Sequence, residues 1–336
     1  PADATAALDA AAPGCGCTTG PHGARIFVLS DDGELWSYDP IADVFELVVG
    51  PVCATTERPF SMAVDPHGVA WILYSQTRRI QRFDLVRPGP CTDSGYLPTH
   101  ASFPLFGMAF VIDPATECAS LYAHSYDGEG PFGEGAAIGS LGVIEGEPPR
   151  MRALGPIDYD GGELSGTRDG RLFAFTGVMP AKLVEYDRAT GARISILPLE
   201  GFSKTNASAF AFFGGDLYLF TEALPTECGA CFDVECAAAW QVCQADAICN
   251  EQIACAIDGG RVTDACGGGA GAEMLACLGR CSSACLISSR ARVSQVSRVD
   301  WDRSDGPEQA LTVIRRDAPV RIVGAGTSPC VPTVPF

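Results

Sequence analysis

Short apolar runs, many with alternating hydrophobic and polar positions, recur along the chain between Gly- and Asp-rich turns. This is the pattern of half-buried β-strands. The stretch 163–199, ELSGTRDGRLFAFTGVMPAKLVEYDRATGARISILPL, carries it most clearly. Strands are predicted at 164–167, 171–175, 182–187 and 192–197, with tight turns at Asp169-Gly170 and Ala189-Thr190-Gly191, where glycine accepts positive φ. Strand, turn, strand, loop, strand, turn, strand is the layout of one propeller blade.

Further copies follow the same layout. The first reads 25–30, 34–39 and 44–49 and lacks an innermost strand; the second reads 61–64, 70–74, 79–84 and a weak outer strand near Tyr96. A third, irregular copy reads 107–111, 120–124, 138–143 and 151–154 around a Gly-rich loop at 127–135. The fifth begins at 209–212 and 216–220, is interrupted, and resumes at 295–300 and 310–314. Aligned third strands read ELWSYD, RIQRFD, AIGSLG, KLVEYD and QVSRVD, so Asp39, Asp84, Asp187 and Asp300 mark one position, with Gly142 in the third copy. A repeat of this kind means stacked supersecondary units.

The segment 320–324 (VRIVG) is the natural donor of the missing inner strand, pairing with 25–30 and leaving the ring without open edges. The predicted fold is therefore all-β, a five-bladed β-propeller closed by its C-terminal strand. Six blades is the rival count, with a further copy hidden between Cys91 and Pro156. A bridge from Cys330 to Cys15 or Cys17 would lock the closure; Cys53, Cys91 and Cys118 complete the cysteines outside the interruption, and their pairing is open.

The interruption, 227–289, holds Cys228, Cys231, Cys236, Cys243, Cys249, Cys255, Cys266, Cys277, Cys281 and Cys285. Its Ala-rich flanks and the i, i+4, i+8 spacing of Cys277, Cys281 and Cys285 predict short helices at 232–244, 245–256 and 271–286. So small a module needs disulfide staples, and this one has no histidine to complete a zinc site beside Cys228-Gly-Ala-Cys231. The division expected is a linker or surface tether at 1–20, the propeller at 21–226 and 290–336, and a Cys-rich α-helical insertion at 227–289.

Composition narrows the setting. Sixteen cysteines point to an oxidising compartment: extracellular, periplasmic or cell-surface. A net charge of −18 argues against nucleic acid and anionic membranes as partners, leaving basic proteins, peptides and neutral glycans. No apolar run is long enough to span a bilayer. Only Lys182 and Lys204 are lysines, so almost all positive charge is Arg.

Candidate chemistry is sparse. HxH, HExxH, GxSxG and P-loop patterns are missing, so no enzymatic activity is indicated. Ligands of propellers meet the face where inner strands begin, which nominates Arg58, Phe60, His100, Phe106, His124 and Asn206 as a ligand-binding channel mouth. Phe60 and Phe106 suit an aromatic platform, though core packing explains them equally well. Asp158, Asp160 and Glu163 carry the oxygen donors for a calcium ion, against the plainer reading of a solvated acidic loop.

The motifs Asp65-Pro66-His67-Gly68-Val69-Ala70-Trp71 and Leu183-Val184-Glu185-Tyr186-Asp187-Arg188-Ala189-Thr190-Gly191 resemble those of secreted NHL-like and streptogramin-lyase-like propellers. The insertion resembles Cys-rich helical modules of exported and lipoprotein-type proteins of predatory gliding bacteria. These resemblances imply a fold and an exported setting and transfer no catalytic residue. The function expected is a secreted or surface-attached binding or scaffold protein that recognises a glycan, peptide or partner protein. Two rival readings are a lyase or hydrolase using His100, His124 and acids around Asp160, and a self-assembling structural subunit.

Overall fold

The computed structural model describes residues 15–128, 132–205, 207–223, 231, 234–244, 276–277, 280–281, 293–301 and 311–334. The chain divides into two compact units, one made of the chain up to Glu222 and again from Gln295, the other Ala223–Ser294.

The first unit is a five-bladed β-propeller of four-stranded antiparallel sheets. Blade 1 contains β1 (Ile26–Ser30), β2 (Leu35–Asp39), β3 (Val44–Val49) and, innermost, β20 (Ile322–Gly326). Blade 2 is β4 (Pro59–Val64), β5 (Val69–Tyr74), β6 (Ile80–Asp84) and β7 (Thr92–Asp93). Blade 3 is β8 (Leu105–Ile112), β9 (Ala119–Tyr126), β10 (Gly133–Glu145) and β11 (Arg150–Asp160). Blade 4 is β12 (Glu163–Gly166), β13 (Leu172–Thr176), β14 (Ala181–Tyr186) and β15 (Arg193–Leu199). Blade 5 is β16 (Ser208–Phe213), β17 (Asp216–Ala223), β18 (Val293–Val299) and β19 (Leu311–Arg315).

Turn chemistry accounts for the repeat. Gly68 and Gly170 stand at φ 79° and 90°, the left-handed conformation their hairpins need. The recurrent Asp is a turn cap between third and fourth strands. Asp39 Oδ1 accepts the N–H groups of Ile41 (2.9 Å) and Ala42 (3.0 Å). Asp84 Oδ1 does the same for Val86 and Arg87, and Asp187 Oδ1 for Ala189 and Thr190. Blade 3 lacks the Asp because β10 runs three residues past Gly142 before turning. A side chain at 142 would strike Met151 and the Phe103 ring.

Inner strands pack neighbour to neighbour around the whole ring, in the order β20, β4, β8, β12, β16 and back to β20. Their approach is close enough that a Cβ on Gly107 would run into the Gly162 carbonyl, and one on Gly166 into that of Phe110. The apolar faces of successive blades supply the core, including Phe173, Phe175, Phe210 and Phe220 between blades 4 and 5 and Tyr96, Phe103 and Phe106 between blades 2 and 3.

The predicted closure is present: Phe27 pairs with Gly326, Val28 with Ala325 and Leu29 with Gly324. Cys17–Cys330 bridges the chain ends, Cys15–Cys118 reaches blade 3, and Cys53–Cys91 closes a loop against blade 2. Two details differ from the sequence pattern. The outer strand of blade 2 is the short Thr92–Asp93, and Tyr96 is a buried core residue packed edge-on to Phe106. Blade 3 is longer than expected: β10 begins inside the Gly-rich stretch, and β11 continues through Asp160, paired Gly133 to Asp160 and Glu134 to Tyr159.

In the second unit, helix α1 (Ala237–Gln244) falls within the predicted 232–244, and the disulfides Cys231–Cys281 and Cys236–Cys277 are formed. Cys281 N–H donates to the Cys277 carbonyl (3.1 Å), the one-turn spacing expected of that pair. Cys228, Cys249, Cys255, Cys266 and Cys285, the side chain of Cys243, and the helices expected at 245–256 and over most of 271–286 lie outside the described residues. So does most of the expected tether, residues 1–14.

Replacing Cys17 and Cys330 by Ser should lower the unfolding free energy by about 2–4 kcal/mol, because the bridge constrains the unfolded chain while hydrogen bonds still hold β20 on β1. A lower urea midpoint with unchanged far-ultraviolet circular dichroism is the expected observation.

Candidate functional site

The inner strands begin on one face of the propeller, and there the five blades share a single cavity of about 150 Å³. Phe60 of blade 2, Gly107 of blade 3, Glu163 of blade 4, Lys204 and Ser208 from the start of blade 5, and Arg321 of blade 1 all line it. A larger hollow of about 390 Å³ lies against the Cys53–Cys91 bridge. Its walls come from blades 1 and 2 and the segment joining them, and they hold the buried Tyr74 phenol but no buried carboxylate or ammonium. The chemistry lies at the channel mouth.

Two buried ionisable side chains are built into the cavity wall. Glu163, the first residue of β12, is 7% exposed, and Lys204 is 5% exposed. Glu163 Oε2 accepts the Ser61 hydroxyl (3.0 Å), and Ser61 Oγ in turn accepts the Met108 N–H (3.3 Å), linking three blades. Lys204 Nζ donates to the Gly161 carbonyl (2.6 Å) and stands 3.3 Å from the centre of the Phe132 ring. Burial pushes the Glu163 carboxyl up, opposed by the Lys204 charge and the Ser61 hydrogen bond. Burial pushes the Lys204 ammonium down, opposed by Glu163 and Asp160.

An aromatic row continues the wall. The Phe60 and Tyr126 rings are stacked 5.9 Å apart at an interplanar angle of 4°, and Phe132 lies 5.3 Å beyond Tyr126. Arg321 is held by Asp31 (3.0 Å) and Glu222 (3.4 Å).

The residues nominated by sequence have separate fates. Phe60 and Glu163 line the cavity. Arg58 is exposed and outside it, engaged through its backbone with Gln76 and Ser75. Phe106 is wholly buried in the core, and half-buried His100 packs edge-on against Phe103. Asn206 lies outside the described residues. His124 is fully buried behind the wall: Gly162 N–H donates to its Nδ1 (3.1 Å), Nε2 is enclosed without a partner, and any side chain at Gly162 would strike the ring. Burial holds its pKa down at about 4.

Asp158, Asp160 and Glu163 do not converge as a ligand set. Asp158 and Asp160 belong to the outer strand β11 and not to a loop at an inner-strand start. Asp158 is exposed, 3.9 Å from Arg193, while Asp160 accepts from Ser125 Oγ (3.4 Å) and the Asp127 N–H (3.0 Å). Among the described residues no group of three or more His, Cys, Asp or Glu side chains is placed to hold a metal ion.

Lys204, Tyr126, Phe132 and Arg321 join the site without having been singled out as ligand-binding. The available signal was the scarcity of lysine: one of the two in the chain lies just before an inner strand.

No protein-family model and no curated protein matches the chain. Among solved structures, similar folds include a nidogen/laminin complex (9% identity, 90% of this chain and 97% of that, TM-score 0.44). Others are the Dos1 propeller (8%, 60% and 51%, 0.37) and regucalcin, a calcium-binding protein from Agrobacterium tumefaciens (15%, 58% and 64%, 0.35). At these identities and TM-scores none carries an argument about function. The strands themselves define the class, a disulfide-stapled five-bladed β-propeller. Its disulfides indicate a non-cytosolic setting. No helix among the described residues is long and apolar enough to cross a membrane.

Two expectations follow. An unfolded histidine gains its proton near pH 6.5, whereas His124 in the fold resists protonation until about pH 4. Stability should therefore fall as pH drops between those values, by up to roughly 3 kcal/mol from this residue, and a His124→Gln variant should lack that part of the slope in urea titrations. In a double-mutant cycle, Glu163→Gln and Lys204→Met should be non-additive by about 0.5–3 kcal/mol in unfolding free energy, because either change alone leaves a buried charge without its counter-charge.

Proposed function

We propose that this is a binding protein of the periplasm, cell surface or extracellular space whose recognition face is the channel mouth. The observation that carries this reading is the single cavity lined from all five blades, with two nearly enclosed ionisable side chains in its wall. Buried, convergent polar groups beside aromatic surface are what a ligand site requires, whereas a merely structural channel is filled by its own side chains. A cavity of about 150 Å³ admits one ring or one side chain. The partner is therefore a glycan, peptide or protein that inserts a projecting group while the rest of it rests on the surrounding face. The resemblance of the blade motifs to secreted NHL-like propellers supports the exported setting.

The hydrolytic reading finds less support, since His124 is sealed behind Gly162 and His100 stands against Phe103.

The test screens the intact, oxidised chain on glycan and peptide arrays, alongside Phe60→Ala and, as a control on the exposed face of β15, Ile194→Ser. Ligands should lose about tenfold or more in affinity with Phe60→Ala, a loss of about 1.4 kcal/mol, and be unaffected by Ile194→Ser. Binding that survives Phe60→Ala, or that depends on Ile194, places recognition elsewhere and overturns the proposal.

A further inference from the structure

We infer that the channel-mouth cavity is a subsite for one neutral, polyhydroxylated ring, the terminal sugar of a glycan, gripped by Glu163 and Lys204. This rests on the channel mouth being the recognition face.

The hydrogen-bonding inventory comes first. Glu163 commits Oε2 to Ser61, while Oε1 has no protein partner and is not among the fully enclosed polar atoms, so it opens to the cavity that Glu163 lines. Lys204 commits one N–H to Gly161, and an ammonium has three. The wall thus offers one free carboxyl oxygen and spare N–H donors, both on side chains more than nine-tenths buried. A ligand that leaves them unmet forfeits their hydration, which disfavours an apolar side chain as occupant.

Charge weighs first against an anion. Lys204 faces Glu163 and Asp160, and Arg321 faces Asp31 and Glu222, so an anionic group meets no unbalanced cation. The chain's net charge of −18 also repels acidic glycans at long range. A cationic group is drawn by the excess of carboxylates, but the two nearest the cavity wall, Glu163 and Asp160, already face the Lys204 amine. What remains is a neutral ligand that donates and accepts at adjacent atoms. A vicinal diol does both, one hydroxyl donating to Glu163 Oε1 while its neighbour accepts from Lys204. The Phe60–Tyr126 stack supplies the third element: C–H bonds on the face of a pyranose carry partial positive charge and pack on the negative face of an aromatic ring. The cavity volume limits the occupant to one ring, which makes it a chain end.

Lysine scarcity makes the test direct. In the intact chain labelled with lysine carrying carbon-13 at Cε, only Lys182 and Lys204 give signals, and Lys182 is paired with Glu134 outside the cavity. Titration uses methyl glycosides of neutral hexoses, 6-deoxyhexoses, pentoses and N-acetylhexosamines, with methyl glucuronide and capped tripeptides as comparisons. The expected result is a neutral glycoside that shifts the Lys204 signal and spares Lys182, binds about tenfold or more tightly than the glucuronide, and is weakened about tenfold or more by Glu163→Gln. The wild-type shift needs no variant, so a folding defect in Glu163→Gln does not blunt the test. A glucuronide that binds as well as its neutral counterpart, or glycoside binding that leaves Lys204 unmoved, overturns the sugar subsite. If only peptides shift Lys204 and depend on Phe60, the sugar proposal fails and the channel-mouth reading stands. If no probe shifts Lys204 and array ligands are indifferent to Phe60, both fail.

Discussion

Everything in the first unit depends on one pairing, the antiparallel contact of β20 with β1. A ring of blades has no independent reason to stop at five unless the last sheet can satisfy the open edge of the first. Here that edge is met by the antiparallel pairing of Phe27, Val28 and Leu29 with the C-terminal strand. Once the edge is paired, all five inner strands have neighbours on both sides, and the glycines at 107 and 166 let them approach to backbone contact. The channel mouth is a product of that closure. Arg321 stands on the returning strand's threshold, so the fifth wall of the cavity exists only because the C-terminus comes back.

Much of this was legible in the sequence because turn chemistry is local. Asp39, Asp84 and Asp187 cap equivalent turns, glycine marks the positive φ of the hairpins, and alternation marks the strands between them. The donor strand for blade 1 and a bridge from Cys330 to Cys15 or Cys17 followed from counting strands and ends, and the partner is Cys17. Blade 3 was harder. Its Gly-rich stretch looks like a loop, but β10 is held there by pairing with β11, a tertiary contact that residue preference does not reveal. That error carried Asp158 and Asp160 from a strand onto an imagined loop and so into a metal site whose members do not converge.

The candidate site was legible only in part, for a related reason. Phe60 and Glu163 were nominated from their position near inner-strand starts. Lys204, Tyr126 and Phe132 come from a loop, the end of a second strand and the flank of a third, and nothing in their spacing announces that they meet. His124 shows the converse: a residue suspected of chemistry is buried, and its ring accounts for the glycine at 162. Buried charge is costly to keep, and here a nearly enclosed glutamate and lysine border the same small cavity.

The bridge between Cys17 and Cys330 spans 313 residues and so turns nearly the whole described chain into a covalent circle. A single proteolytic nick anywhere inside that span cannot release a fragment, because both pieces stay joined through sulfur. A cut loop is then a local injury, and the blades on either side remain tied into one molecule.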